Sequence, residues 1–171
     1  MLTRPLADEA DPYYFPYIDL VPGDDPVRAM CAQLEEMMLL GSLSEERSLF
    51  RYAPGKWSLR ESLNHVTDTE RGFAFRVLWF ARGYEAPLPS IDQEVGVRGA
   101  GADRIAWSAH LEEFRRVRLA SIALLENLPP EAWDRRGMAS GKHFSVRALA
   151  FLLPGHAAHH LKIFRERYLS V

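Results

Sequence analysis

Apolar side chains recur along this chain in steps of three and four, and the recurrence marks out four amphipathic segments. The first spans about Pro26 to Leu40. Val27, Met30, Leu34, Met37 and Met38 share one side, Asp25 stands as N-cap, Pro26 suits a first helical position, and Gly41 ends the pattern. The second opens on the capping box Ser58-x-x-Glu61, with Trp57 placed as a staple. Its stripe is Leu59, Leu63, Val66, Phe73, Val77 and Phe80, and it ends near Gly83. The third begins at Asp103. Trp107, His110, Phe114, Val117, Ser121, Leu124 and Leu128 follow at helical steps, and Pro129-Pro130 stops them. Glu112 and Arg116 pair at i, i+4 on its outer face. The fourth begins at Ser145, with Phe144 placed to staple on Leu149, and runs to about Tyr168. Pro154 inside it removes one backbone bond and crowds the carbonyl of Ala150, which predicts a kink. No segment reads convincingly as a strand.

Four such segments predict an all-α fold, a four-helix bundle over residues 26–171. The links at about 41–57 and 83–102 are long enough to cross over an end of the bundle, and such loops are where a site mouth is built. Residues 1–25, rich in aromatics and proline, are expected to form an extended arm. It would pack Tyr13, Tyr14, Phe15 and Tyr17 onto the body or onto a second subunit.

Composition narrows the function. With 171 residues and a net charge of −2, nothing global draws the chain to nucleic acid or anionic lipid. A helix-turn-helix within Ser44–Arg71 would lack a basic recognition helix. The start carries no signal peptide pattern, and the longest apolar run, Ala148 to Leu153, is far short of a membrane span, so a cytoplasmic setting is expected. One cysteine, Cys31, rules out an intrachain disulfide and any thiolate-rich metal site; among apolar helical neighbours it is expected to be buried. Gly96, Gly99 and Gly101 follow no strand and read as a flexible loop rather than a phosphate cradle.

The histidines carry the chemistry. Gly155-His156-Ala157-Ala158-His159-His160 sets His156 and His160 at i, i+4, about 6 Å apart on one helical face and able to share one metal ion. That spacing alone is common. A catalytic site takes three protein ligands and keeps an open position. His65, in the middle of the second helix at the edge of its stripe, is the best third imidazole; alone it also reads as a hydrogen-bonded core histidine. His110 reads as a satisfied core residue, His143 as solvated, and His159 as flanking, about 100° round the helix from His160. Asp68 can orient His65 or pair with Arg71, and Asp92 on the crossover loop can support the site from behind. No catalytic side chain beyond the metal ligands stands out.

The stretches YAPGKWSLRESLNHVTDTER at 52–71, RGYEAPLPSIDQE at 82–94 and SVRALAFLLPGHAAHHLKIFRERY at 145–168 resemble the DinB/YfiT-like family of metal-binding four-helix proteins. W-S-x-x-E-x-x-x-H joined to a late G-H-x-x-H-H is the specific part. The resemblance implies a bundle of unusual crossover topology, commonly dimeric. It implies a metal held by His65, His156 and His160, while Pro154, two residues before His156, departs from the family pattern. Some relatives transfer low-molecular-weight thiols such as bacillithiol, and others are described as metal-dependent hydrolases. The expectation is therefore a Zn²⁺ or Ni²⁺ transferase that uses a small thiol as nucleophile on a small electrophile, in a cytoplasmic homodimer. The alternatives are a hydrolase with a metal-activated water, a non-catalytic metal- or ligand-binding stress-response protein, and a structural dimer module with vestigial histidines.

Overall fold

The computed structural model describes residues 3–170; Met1 and Leu2, the first residues of the expected arm, and Val171 lie outside the described residues. Among the described residues the α-helices are α1 (Phe15–Ile18), α2 (Pro26–Leu39), α3 (Glu45–Ser48), α4 (Leu59–Ala81), α5 (Gln93–Ala100), α6 (Trp107–Glu126) and α7 (Val146–Ile163). Four of them, α2, α4, α6 and α7, form a four-helix bundle. Their starts follow local chemistry. Asp25 accepts from Arg28 N at α2, Ser58 and Glu61 close the capping box at α4, and Ser145 accepts from Ala148 N at α7. The third segment starts late: Ala102–Arg104 is a separate 3₁₀ turn, and α6 begins at Trp107. The last helix winds into a π turn over Phe164–Leu169.

α4 packs against α6 and α7, and α2 packs against the same two. α2 and α4 therefore face each other across the bundle, as do α6 and α7. The chain crosses a diagonal twice, through residues 40–58 and 127–145. The 82–106 link instead joins neighbours, contrary to the crossover expected of it.

Three further expectations fail. Arg136–Ala139 and Lys142–Ser145 form an antiparallel hairpin, β1 and β2, paired Arg136↔Ser145 to Ala139↔Lys142. Ser140 and Gly141, with φ of 54° and 71°, make its turn, the mirror-image geometry that suits a two-residue hairpin. Part of the glycine-rich link is helical: Asp92 caps α5 by accepting from Glu94 N and Val95 N, and Val97 is buried. Cys31 is exposed, because α2 turns that position away from its buried Met30 and Gln33.

The N-terminal segment is a strap with two helical turns, Pro12–Tyr14 and α1, rather than a purely extended arm. Ile18 and Val21 belong to the core, and the Tyr14 ring meets Phe144 at 4.9 Å. Its approach to α7 needs Gly155, since a Cβ there would stand 2.4 Å from the Tyr17 carbonyl oxygen.

The interior holds two apolar clusters. One gathers Met30, Val77, Phe80, Leu125 and Phe151; the other gathers Met37, Leu63, Trp107, Phe114 and Phe164. A polar group joins all four bundle helices. Arg118 on α6 pairs with Glu70 on α4 at 2.7 Å and donates to Gln33 Oε1 on α2 at 3.0 Å. Gln33 Nε2 donates to the Pro154 carbonyl on α7 at 2.8 Å.

Candidate metal centre

His65 sits on α4 in the second turn after the capping box, and His156 and His160 sit one turn apart on α7. The packing of α4 on α7 brings the three rings together. Their centroids form a near-equilateral triangle: 5.1 Å from His65 to His156, 5.0 Å from His65 to His160, and 4.6 Å from His156 to His160. One nitrogen from each ring falls in a group whose atoms all lie within 4.8 Å of one another. α7 runs through Pro154, and the i, i+4 register of His156 and His160 survives it.

The rings are held neutral. Burial drives His65 down to about 4, with a smaller push from His159. Burial, then His65 and His159, drive His160 down to about 3. Burial, then the charges of its neighbours, sets His156 well below its ordinary value. Neutral imidazole is the form that binds a metal. Hydroxyls stand behind two rings: Ser62 Oγ lies 3.4 Å from Nδ1 of His160, and Thr69 Oγ1 lies 3.5 Å from Nδ1 of His65. Trp57 lies against His65 at 4.9 Å and Phe73 against His156 at 6.2 Å, ring to ring. Three neutral nitrogen donors, two of them on buried residues and that of His156 on a half-buried one, fit a divalent transition ion with an open position.

The remaining histidines do not join. His110 is buried, with Nε2 2.9 Å from the Ala102 carbonyl oxygen. His143 is exposed on β2. The His159 ring packs on Tyr17 at 5.2 Å. Asp68 binds Arg71 at 2.9 Å, not His65, and Asp92 is used as the cap of α5.

A cavity of about 240 Å³ opens beside the triad, with His65 and His156 in its wall. The strap supplies Tyr14 and Tyr17, α4 supplies Phe73 and Arg76, Ile91 precedes α5, and Ser140 comes from the hairpin turn. Sequence reasoning missed Arg76 and the hydroxyls. The available signal was spacing: Ser62, Thr69 and Arg76 stand at −3, +4 and +11 from His65, and Arg76 interrupts the apolar stripe between Phe73 and Phe80.

The model of the DinB superfamily matches residues 35–164. The chain belongs to that superfamily. No curated protein matches it. Among solved structures it is similar to YfiT from Bacillus subtilis, described as "a probable metal-dependent hydrolase with an unusual four-helix bundle topology". The two are 15% identical, the match covers 96% of this chain and 93% of that one, and the TM-score is 0.68, which establishes a shared fold.

Proposed function

We propose that the protein is a metal-dependent enzyme that joins a low-molecular-weight thiol, such as bacillithiol, to a small electrophile, with His65, His156 and His160 as metal ligands. The observation that carries this reading is the convergence of three neutral imidazoles at the wall of a cavity. A divalent ion held there, Zn²⁺ or Ni²⁺, supplies a Lewis acid that lowers the pKa of a coordinated thiol or water towards neutrality. The rest falls to the chain. Ser62 and Thr69 hold the Nδ1 sides of His160 and His65, leaving Nε2 of each as the ligand atom. Trp57, Phe73 and Tyr17 exclude water around the rings. Both carboxylates in the cavity wall are engaged, Asp68 with Arg71 and Asp92 with the α5 backbone, which favours a nucleophile that needs no protein base.

A hydrolase is the second reading. Asp68 lies in the cavity wall one turn after His65, where release from Arg71 would make it a base for water. The setting proposed is a cytoplasmic homodimer; no helix among the described residues is long and apolar enough to cross a membrane, and light scattering reads the dimer directly. Metal-loaded protein incubated with bacillithiol, glutathione or cysteine and a panel of electrophiles should consume thiol in a metal-dependent way. Hydrolysis of esters or amides without thiol would install the second reading, and no turnover of either kind would overturn both in favour of a binding protein.

A further inference from the structure

Arg76 is a buried cation with no counter-ion. It is 6% exposed, and no carboxylate among the described residues pairs with it. Burial lowers its pKa, and Tyr14, through its charge and a side-chain hydrogen bond, opposes that only in part. Its Nη2 donates to Ser140 Oγ at 2.8 Å, and its guanidinium lies 5.7 Å from the Phe73 ring centre. A guanidinium has five N–H donors, so these contacts leave donors free. Ser140 is the one non-glycine with positive φ among the described residues, and that backbone brings its hydroxyl to Arg76 in the cavity wall. A cation desolvated without a partner is costly, and the cavity is the open place from which an anion can approach.

We propose that the cavity takes a small organic carboxylate, with Arg76 as its anion anchor and Tyr14, Phe73, Ile91 and Leu152 against its apolar body. The orientation rests on the reading of the histidines as the reacting end. Arg76 is eleven residues along α4 from His65, about 16 Å of helix axis, and helical side chains lean towards the N-terminus, back towards the triad. An elongated molecule with its carboxylate on Arg76 therefore presents its other end to the histidines. Arg76 is a specificity residue: it holds the substrate and takes no part in bond making. Its planar fork suits bidentate carboxylate better than a lysine would.

The test compares matched probes by calorimetry. In metal-free protein, 4-phenylbutyrate should bind about tenfold or more tighter than 4-phenylbutanol, the scale of one charge-assisted hydrogen bond. Arg76→Gln should erase that preference with the alcohol's affinity unchanged, and Arg76→Lys should keep part of it. In zinc-loaded protein, 8-mercaptooctanoate against 8-mercaptooctanol asks the same of the thiol. A preference confined to the mercapto pair places the carboxylate on the thiol. A phenylbutyrate preference that survives saturating 2-mercaptoethanol places it on the electrophile. Either supports the anchor. Carboxylates that bind no tighter than their neutral partners overturn it, as does an Arg76→Gln loss shared equally by acid and alcohol. The phenyl pair needs no metal, so failed zinc loading with an intact acid preference would count against the proposed chemistry and not against the anchor.

Discussion

Arg118 and Arg76 are both buried inside this protein, and they differ in what stands opposite them. Arg118, wholly buried, meets Glu70, and Gln33 links it to the α7 backbone at Pro154. Each charge there has its opposite inside the protein, so the pair serves the packing of the four bundle helices, although Arg118 Nε and Glu70 Oε1 have no hydrogen-bond partner. Burial pushes Glu70 up and Arg118 down, and each one's charge opposes that shift in the other. Arg76 meets the hydroxyls of Ser140 and Tyr14, no carboxylate, and the open cavity. The three histidines resemble Arg76 in this respect: they are polar, buried or half-buried, and no charged protein group pairs with them. Charges paired inside the protein build this fold, and polar groups that face the cavity line its candidate site.

The largest effect expected from this contrast is on stability. Arg118→Met or Glu70→Leu alone should cost about 3–5 kcal/mol, since each strands a buried charge, whereas the double variant should lose far less. Urea unfolding of the four proteins reads this; additive losses would show that the pair is not closed.

The next effect concerns pH. In metal-free protein the unfolded chain protonates these histidines near 6.5, while the folded chain waits until about 4 at His65 and about 3 at His160. Between those values unfolding takes up protons, so stability falls as pH falls, by about 1.4 kcal/mol per unit for each such histidine. Urea midpoints at pH 7 and pH 5 should diverge less in a His65→Gln/His160→Gln variant than in the parent. An equal divergence would mean the rings are not held neutral by the fold.

The smallest effect is at the strap. Gly155→Ala sets a Cβ against the Tyr17 carbonyl oxygen, a backbone atom that cannot swing aside. A loss of about 1–3 kcal/mol is expected in the thermal or urea midpoint, with the strap loosened over the cavity. A neutral result would mean that the strap is not fixed at this contact.

Much of this was legible in the sequence, and the failures share a cause. α2, α4 and α7 declare themselves by cap and stripe, because their ends and faces are set by residues close in the chain. α5 was hidden because Gln93–Ala100 contains two glycines, poor helix formers; its cap at Asp92 and buried Val97 outweigh them. The hairpin was hidden because its strands are four residues each, too short to show alternation. Leu88 pairs with Ala139 on one strand and Ala10 with Phe144 on the other, contacts no local pattern contains. The histidine register could be read from i, i+4 spacing and from His65 on its stripe. The cavity could not, because its wall is assembled from the strap, α4, the α5 approach and the hairpin turn.

The central claim is that the open histidine set holds a metal. Tag-free protein should be equilibrated with Zn²⁺ or Ni²⁺, dialysed, and its metal counted against chain concentration. About one ion per chain is expected in the parent and in His110→Ala and His143→Ala, and almost none in His65→Ala, His156→Ala or His160→Ala. A metal-free parent, or a full ion retained in His160→Ala, would contradict it.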